Sequence, residues 1–80
     1  MKNQEKISVK VEWNYVKIYI NDIIHVQFKS DSFMGFQSWV NGTNWYDIEF
    51  YLKDGVTIHT SYSSIDRWKK ILQCLNAIKL

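Results

Sequence analysis

Glu49 and His59 are the residues of this chain whose types and spacing come nearest to chemistry. A short hairpin sets them opposite each other on neighbouring strands, with Asp47 and Ser61 beside them. A carboxylate next to an imidazole fixes its tautomer and raises its pKa, so the group could serve in acid/base work or bind a metal. A catalytic pair also needs a concave, water-poor site, and a flat sheet face offers none. The competing reading is a solvated polar face whose cross-strand pair contributes only about 0.2–1 kcal/mol. Cys74 sits beside Ile71 and Ile78 at helical spacing, as a small filler does, and nothing near it marks a low-pKa nucleophile. His25 reads as an exposed strand residue. Asn41-Gly42-Thr43 fits a glycosylation sequon but is more simply a turn. Arg67, Lys69 and Lys70 read as the solvated side of a helix. The expectation is therefore no catalytic residue, no metal and no cofactor.

The elements that would hold these residues must fit into 80 residues, enough for a single domain over residues 1–80 with a modest core. Hydrophobic residues make up 46% and aromatic residues 16%, so the core is rich for that length. One Cys allows no internal disulfide, which suits a reducing compartment. The opening MKNQEKISVK lacks the apolar run of a signal peptide, and no stretch is long and apolar enough to span a membrane. A cytoplasmic protein with no membrane association is expected, of bacterial or phage type. A net charge of +2 is too small to argue attraction to nucleic acid or lipid.

Alternation predicts the strands. Ile7, Val9, Val11 and Trp13 alternate with Ser8, Lys10 and Glu12; Val16, Ile18 and Ile20 with Tyr15, Lys17 and Tyr19; Ile24, Val26 and Phe28 with His25, Gln27 and Lys29. Asn14, Asn21-Asp22 and Ser30-Asp31-Ser32 supply the breaks. Further strands are expected at about 33–40, 45–52 and 56–62. The period then changes, and Ile65, Trp68, Leu72, Leu75 and Ile78 fall on one helical face, with Ser63 and Asp66 as a capping box and Asp66–Lys70 as an outward i,i+4 pair. The expected fold class is α+β: an antiparallel sheet, or a small partly open barrel, of about six strands followed by one C-terminal amphipathic helix.

The loop Lys53-Asp54-Gly55 matches a three-residue hairpin, which sets Phe50 opposite Ile58, Ile48 opposite Thr60 and Tyr46 opposite Tyr62 on the core side. Across the Asn41-Gly42 turn, a two- or four-residue loop puts Phe33, Gly35, Gln37 and Trp39 on the core face. Met34, Phe36, Ser38 and Val40 then share the outer face with Trp45, Asp47, Glu49 and Tyr51. A slip of one residue exchanges the two sets but leaves an apolar set outside either way. Met34, Phe36, Val40, Trp45 and Tyr51 are accordingly the candidate partner-binding residues.

The stretch WYDIEFYLKDGVTIHTSYSSIDRWKKILQCL resembles the last two strands and capping helix of small bacterial pleckstrin-homology-like (PH-like) domains. The family has seven strands where this chain reads as six, and the basic lipid-binding motif of its phosphoinositide-binding members is absent. The resemblance implies a scaffold that mostly binds proteins or peptides.

The function expected is a small non-enzymatic interaction module, binding a protein partner or itself as a homo-oligomer through its apolar outer strand face. A single-stranded nucleic-acid binder that stacks bases on Trp45, Phe36 and Tyr51 is the alternative. Asp47 and Glu49 on the same face argue against nucleic acid. A small enzyme using Glu49 and His59 is the third reading.

Overall fold

A computed structural model describes residues 5–78. The chain runs β1 (Ile7–Glu12), β2 (Tyr15–Ile20), β3 (Ile23–Lys29), β4 (Phe33–Asn41), β5 (Trp45–Leu52), β6 (Thr57–Tyr62) and α1 (Ile65–Ala77). Six strands form two antiparallel sheets of three, ordered β1-β2-β3 and β4-β5-β6, and the sheets do not close into a barrel. Every strand pairs only with its neighbour in sequence, because each connection within a sheet is two to four residues long.

In the first sheet Val16 and Ile18 of β2 are fully buried, flanked by Val9 and Val11 from β1 and by Val26 and Phe28 from β3. Asn21 and Asp22 both take left-handed φ values of 52° and 66°, as a type I′ hairpin requires. The β1–β2 turn departs from expectation. Trp13 does not extend the buried stripe of β1 but occupies the turn with φ 57° and is 96% exposed. Two residues suffice to reverse the chain between Glu12 and Tyr15, so Trp13 is drawn into the turn with Asn14. A bulge in β3 leaves His25 without a cross-strand partner and moves Ile24 opposite Tyr19, on the solvent side. Bulges re-aim side chains, and here the His25 ring turns to meet Tyr62, its Nε2 2.6 Å from the phenol oxygen.

The second sheet packs Ile48 and Phe50 of β5 inward with Ile58 and Tyr62 of β6. Phe28 and Phe50 join the two sheets with ring centres 5.4 Å apart. The β5–β6 register agrees with expectation at every pair from Tyr46↔Tyr62 to Tyr51↔Thr57.

The helix closes the core by placing Ile71 and Leu75 in its centre, with Trp68 and Leu72 half-buried beside them. Ile65 is 40% exposed, so the buried stripe centres on Ile71, which the spacing sets beside the expected face, rather than running out to Ile65. Ser64, rather than Ser63, caps the helix, its hydroxyl accepting from the Arg67 amide at 3.3 Å. Asp66 and Lys70 form no ion pair. Arg67 reaches back to Glu5 instead, its Nε donating at 3.0 Å. No helix among the described residues is long and apolar enough to cross a membrane.

Candidate interaction surface

The β4–β5 hairpin decides which residues share a face. Its loop has three residues, Gly42 to Asn44, with Gly42 in the left-handed region at φ 71°. A three-residue loop pairs positions of equal parity: Asn41↔Trp45, Trp39↔Asp47, Gln37↔Glu49 and Gly35↔Tyr51 on one side, Val40↔Tyr46, Ser38↔Ile48 and Phe36↔Phe50 on the other. The expected assignment of β4 is thereby exchanged from Gly35 onward. Phe33 keeps its inward place, since a bulge at Met34 resets the alternation before Gly35 and pairs Phe33 with Leu52.

The five candidate residues consequently do not form one face. Phe36 belongs to the core side, packed against Phe33 and Phe50 with ring centres 6.5 Å from each. Tyr51 lies on the outer face, where its hydroxyl donates to the Glu49 carboxylate at 2.8 Å, with the side-chain amide of Gln37 2.9 Å from the same phenol oxygen. Its bond to the Glu49 carboxylate holds the Tyr51 phenol above its ordinary pKa. Met34 projects from the bulge at 69% exposure and Val40 from the far end of β4 at 55%. Trp45, at 52% exposure, stands at the start of β5 beside Asn41.

On the outer face of the second sheet the structure assembles a cluster that the alternation pattern does not isolate. Glu49 and His59 are opposite in register as expected, but they do not bond. His59 turns diagonally to Asp47, with Nε2 3.0 Å from Oδ1, and the Ser61 hydroxyl donates to the same oxygen. Ser61 holds the Asp47 carboxyl below its ordinary range; burial opposes this, while His59 and the Asn41 amide act in the same direction as Ser61. An ionised carboxylate only accepts, so the imidazole carries a proton on Nε2. Trp39, opposite Asp47 in register, stacks on the His59 ring at 5.8 Å and 8°, and Asp47 is fully buried. Beneath, the Trp68 indole donates to the Asp47 carbonyl at 3.0 Å. Asp47 Oδ2 has no hydrogen-bond partner among the described residues.

The side-chain hydrogen bonds of this group converge on one oxygen of Asp47. Ser61 and His59 both address the carboxylate and not each other, so the imidazole is not placed to take the hydroxyl proton. No group of three His, Cys, Asp or Glu side chains among the described residues is placed to hold a metal ion. His25 lies elsewhere, and burial against Tyr62, aided by the Arg67 charge, pushes its pKa below the ordinary imidazole value. Cys74 is half-buried in the helix.

The free edge of β4 is the other notable part of this surface. At nine residues it is the longest strand, and Phe33–Asn41 contains no charged residue and no Pro. By contrast β1 carries Lys10 and Glu12, β3 carries Lys29 and the short β6 carries His59, while β3 and β4 each contain one bulge. Among the described residues β4 pairs with β5 alone, so its outer edge presents backbone groups that no other described strand takes up. Comparison with family models, with curated proteins and with solved structures returned no match to this chain.

Proposed function

We propose that the chain is a non-enzymatic interaction module that takes an extended polypeptide segment along the free edge of β4. The observation that carries this reading is the edge itself: long, uncharged, unpaired and flanked by exposed Met34, Val40 and Trp45. Sheet edges are normally blunted by Lys, Pro or short length. An edge left open is the template for strand addition, in which backbone bonds give affinity and alternate side chains give selectivity. The PH-like resemblance supports the same reading, since two three-stranded sheets with a C-terminal helix are compatible with such a scaffold, which mostly serves protein and peptide binding. Single-stranded nucleic acid fits this surface poorly. Asp47 and Glu49 lie on it, whereas Lys10, Lys17 and Lys29 belong to the other sheet. A cytoplasmic setting accords with the single Cys.

The test is selection of randomised displayed peptides on the immobilised protein, with each selected peptide mapped by amide chemical shifts. Selected peptides should shift amides of residues 34–41, and the double variant Met34→Lys, Val40→Lys should weaken them at least tenfold. Peptides that map elsewhere, or bind the double variant equally well, would refute the proposal.

A further inference from the structure

We infer that the outer face of the sheet β1-β2-β3 binds single-stranded nucleic acid, its lysines meeting phosphates and its aromatic rings stacking bases. This is a second surface, on the other sheet from the β4 edge and independent of it. Register places Lys10 directly opposite Lys17, Lys17 opposite Gln27, and Tyr15 opposite Lys29. These positions point outward, because Val16, Ile18, Val26 and Phe28, which alternate with them, are buried. The three lysines therefore cross the sheet as one band, with Lys29 diagonal to Lys17. Like charges directly opposite each other destabilise a sheet, and among the described residues no carboxylate relieves them. Lys6 pairs with Asp22, Arg67 with Glu5 and His59 with Asp47. Glu12, the one carboxylate on these three strands, accepts from the Tyr19 hydroxyl at 3.3 Å. A band of cations that costs folding free energy and has no partner in the chain complements a run of phosphates. The net charge of +2 understates this face, since Asp47 and Glu49 stand on the outer face of the second sheet.

The rings set among the lysines separate nucleic acid from other anions. Tyr15 and Tyr19 stand on the central strand β2, on either side of Lys17. Reaching Glu12 from a position opposite Ser8 stretches the Tyr19 side chain along β1, with the Lys10 ammonium 5.5 Å from its ring centre. Trp13, in the turn that joins β1 to β2, adds a third ring near Tyr15 and is 96% exposed. Single-stranded binders combine a basic track with aromatic faces on which bases stack. An acidic peptide or a lipid headgroup supplies charge but no stacking face. Three strands about 4.8 Å apart, each of six or seven residues at about 3.3 Å, make a platform of roughly 10 by 20 Å, room for two or three bases.

The experiment is fluorescence anisotropy of the full chain with labelled oligo(dT) and oligo(U) of about twelve residues, between about 50 and 200 mM salt. Three phosphate contacts give a slope of about −2 in log affinity against log salt, a roughly twentyfold loss over that range. Lys17→Gln, which keeps the fold because it removes the repulsion with Lys10, should bring the slope to about −1.4. Lys69→Gln, on the exposed side of α1, should leave it unchanged. Trp13→Ala should weaken either oligonucleotide at least about fivefold with the slope preserved, as loss of a stacked base does. Inorganic polyphosphate should bind the parent and Trp13→Ala alike. Bound oligonucleotide should shift amides of Lys10, Tyr15, Lys17, Tyr19 and Lys29, and not those of residues 34–41. No binding of either oligonucleotide at high micromolar protein and the lower salt, or a slope indifferent to Lys17→Gln, overturns the proposal. Affinity indifferent to Trp13→Ala, with polyphosphate bound as tightly as oligonucleotide, reduces the face to a general anion surface and overturns it too. Tighter binding to phosphatidylserine vesicles than to either oligonucleotide assigns the face to a membrane surface instead.

Discussion

Replacing Phe50 by Ala removes the ring that joins the two sheets. Phe50 is fully buried and touches Phe28 of the first sheet and Phe36 of its own, with ring centres at 5.4 and 6.5 Å. A buried Phe→Ala change costs about 3–5 kcal/mol, part lost transfer energy and part cavity. An 80-residue domain is stable by roughly 4–12 kcal/mol at about 0.05–0.15 kcal/mol per residue, so this one change removes a large share of the total. The melting temperature should fall by roughly 12–40 °C, at about 4–8 °C per kcal/mol for a domain of this size. Urea unfolding followed by tryptophan fluorescence measures the loss directly, provided the slope against urea is unchanged. A double-mutant cycle using Phe28→Leu and Phe50→Leu should add a coupling of about 0.5–1.5 kcal/mol, as tilted aromatic pairs give. A loss below about 1 kcal/mol for Phe50→Ala, or no coupling in the cycle, would show that the sheets do not meet through these rings.

Asp47 has a folded pKa lowered chiefly by Ser61, so its charge contributes stability above the unfolded value, and that contribution disappears as pH falls through the folded one. Ser61→Ala should flatten this acid-side loss, seen as a smaller change in urea midpoint between about pH 6 and pH 2; an unchanged profile would mean that Ser61 does not hold the carboxylate. Trp13 sits at φ 57° in the first turn with its ring in solvent. Left-handed backbone costs a non-Gly residue about 1–2 kcal/mol, partly offset by the greater freedom of Gly when unfolded. Trp13→Gly should therefore stabilise the protein by about 0.5–1 kcal/mol in the same urea assay, and destabilisation would mean that the indole makes contacts which hold the turn.

Element order, the type of every element and the β5–β6 register were legible because each rests on a local signal. Lys53-Asp54-Gly55 fixes one loop length, and one loop length fixes one parity. Asn41-Gly42-Thr43-Asn44 fits loops of two, three or four residues, and these parities place opposite sides of β4 inward. The three-residue loop is the one formed, and the bulge at Met34 then lets Phe33 and Phe36 both face the core, a spacing that simple alternation forbids. This is why Phe36 is core and Met34, on the bulge, is exposed; Val40 shares the side of Phe36 but lies at the far end of the strand, beyond the core. The Asp47 cluster was half legible. Hairpin register brings Asp47, Ser61, Glu49 and His59 together, but the choice of Asp47 over Glu49 by His59 depends on Trp39 stacking from β4, and so on the other hairpin. Trp13 misled because alternation alone does not say where a strand gives way to its turn.

The contact of α1 with β1 has a kinetic consequence. All strand pairings join sequence neighbours, so each three-stranded meander has a low contact order and can zip from its own turns. The helix lies more extensively against β1 than against any other strand, so the last element covers the first. Loop-closure entropy is thus concentrated in one docking event near the end of folding. During synthesis the apolar sides of both meanders stay open until Ile71 and Leu75 have left the ribosome, at about 5–20 residues per second. A ribosome-bound chain stalled before residue 71 should hold formed hairpins without a closed core, and release of the final helix should convert it in one step.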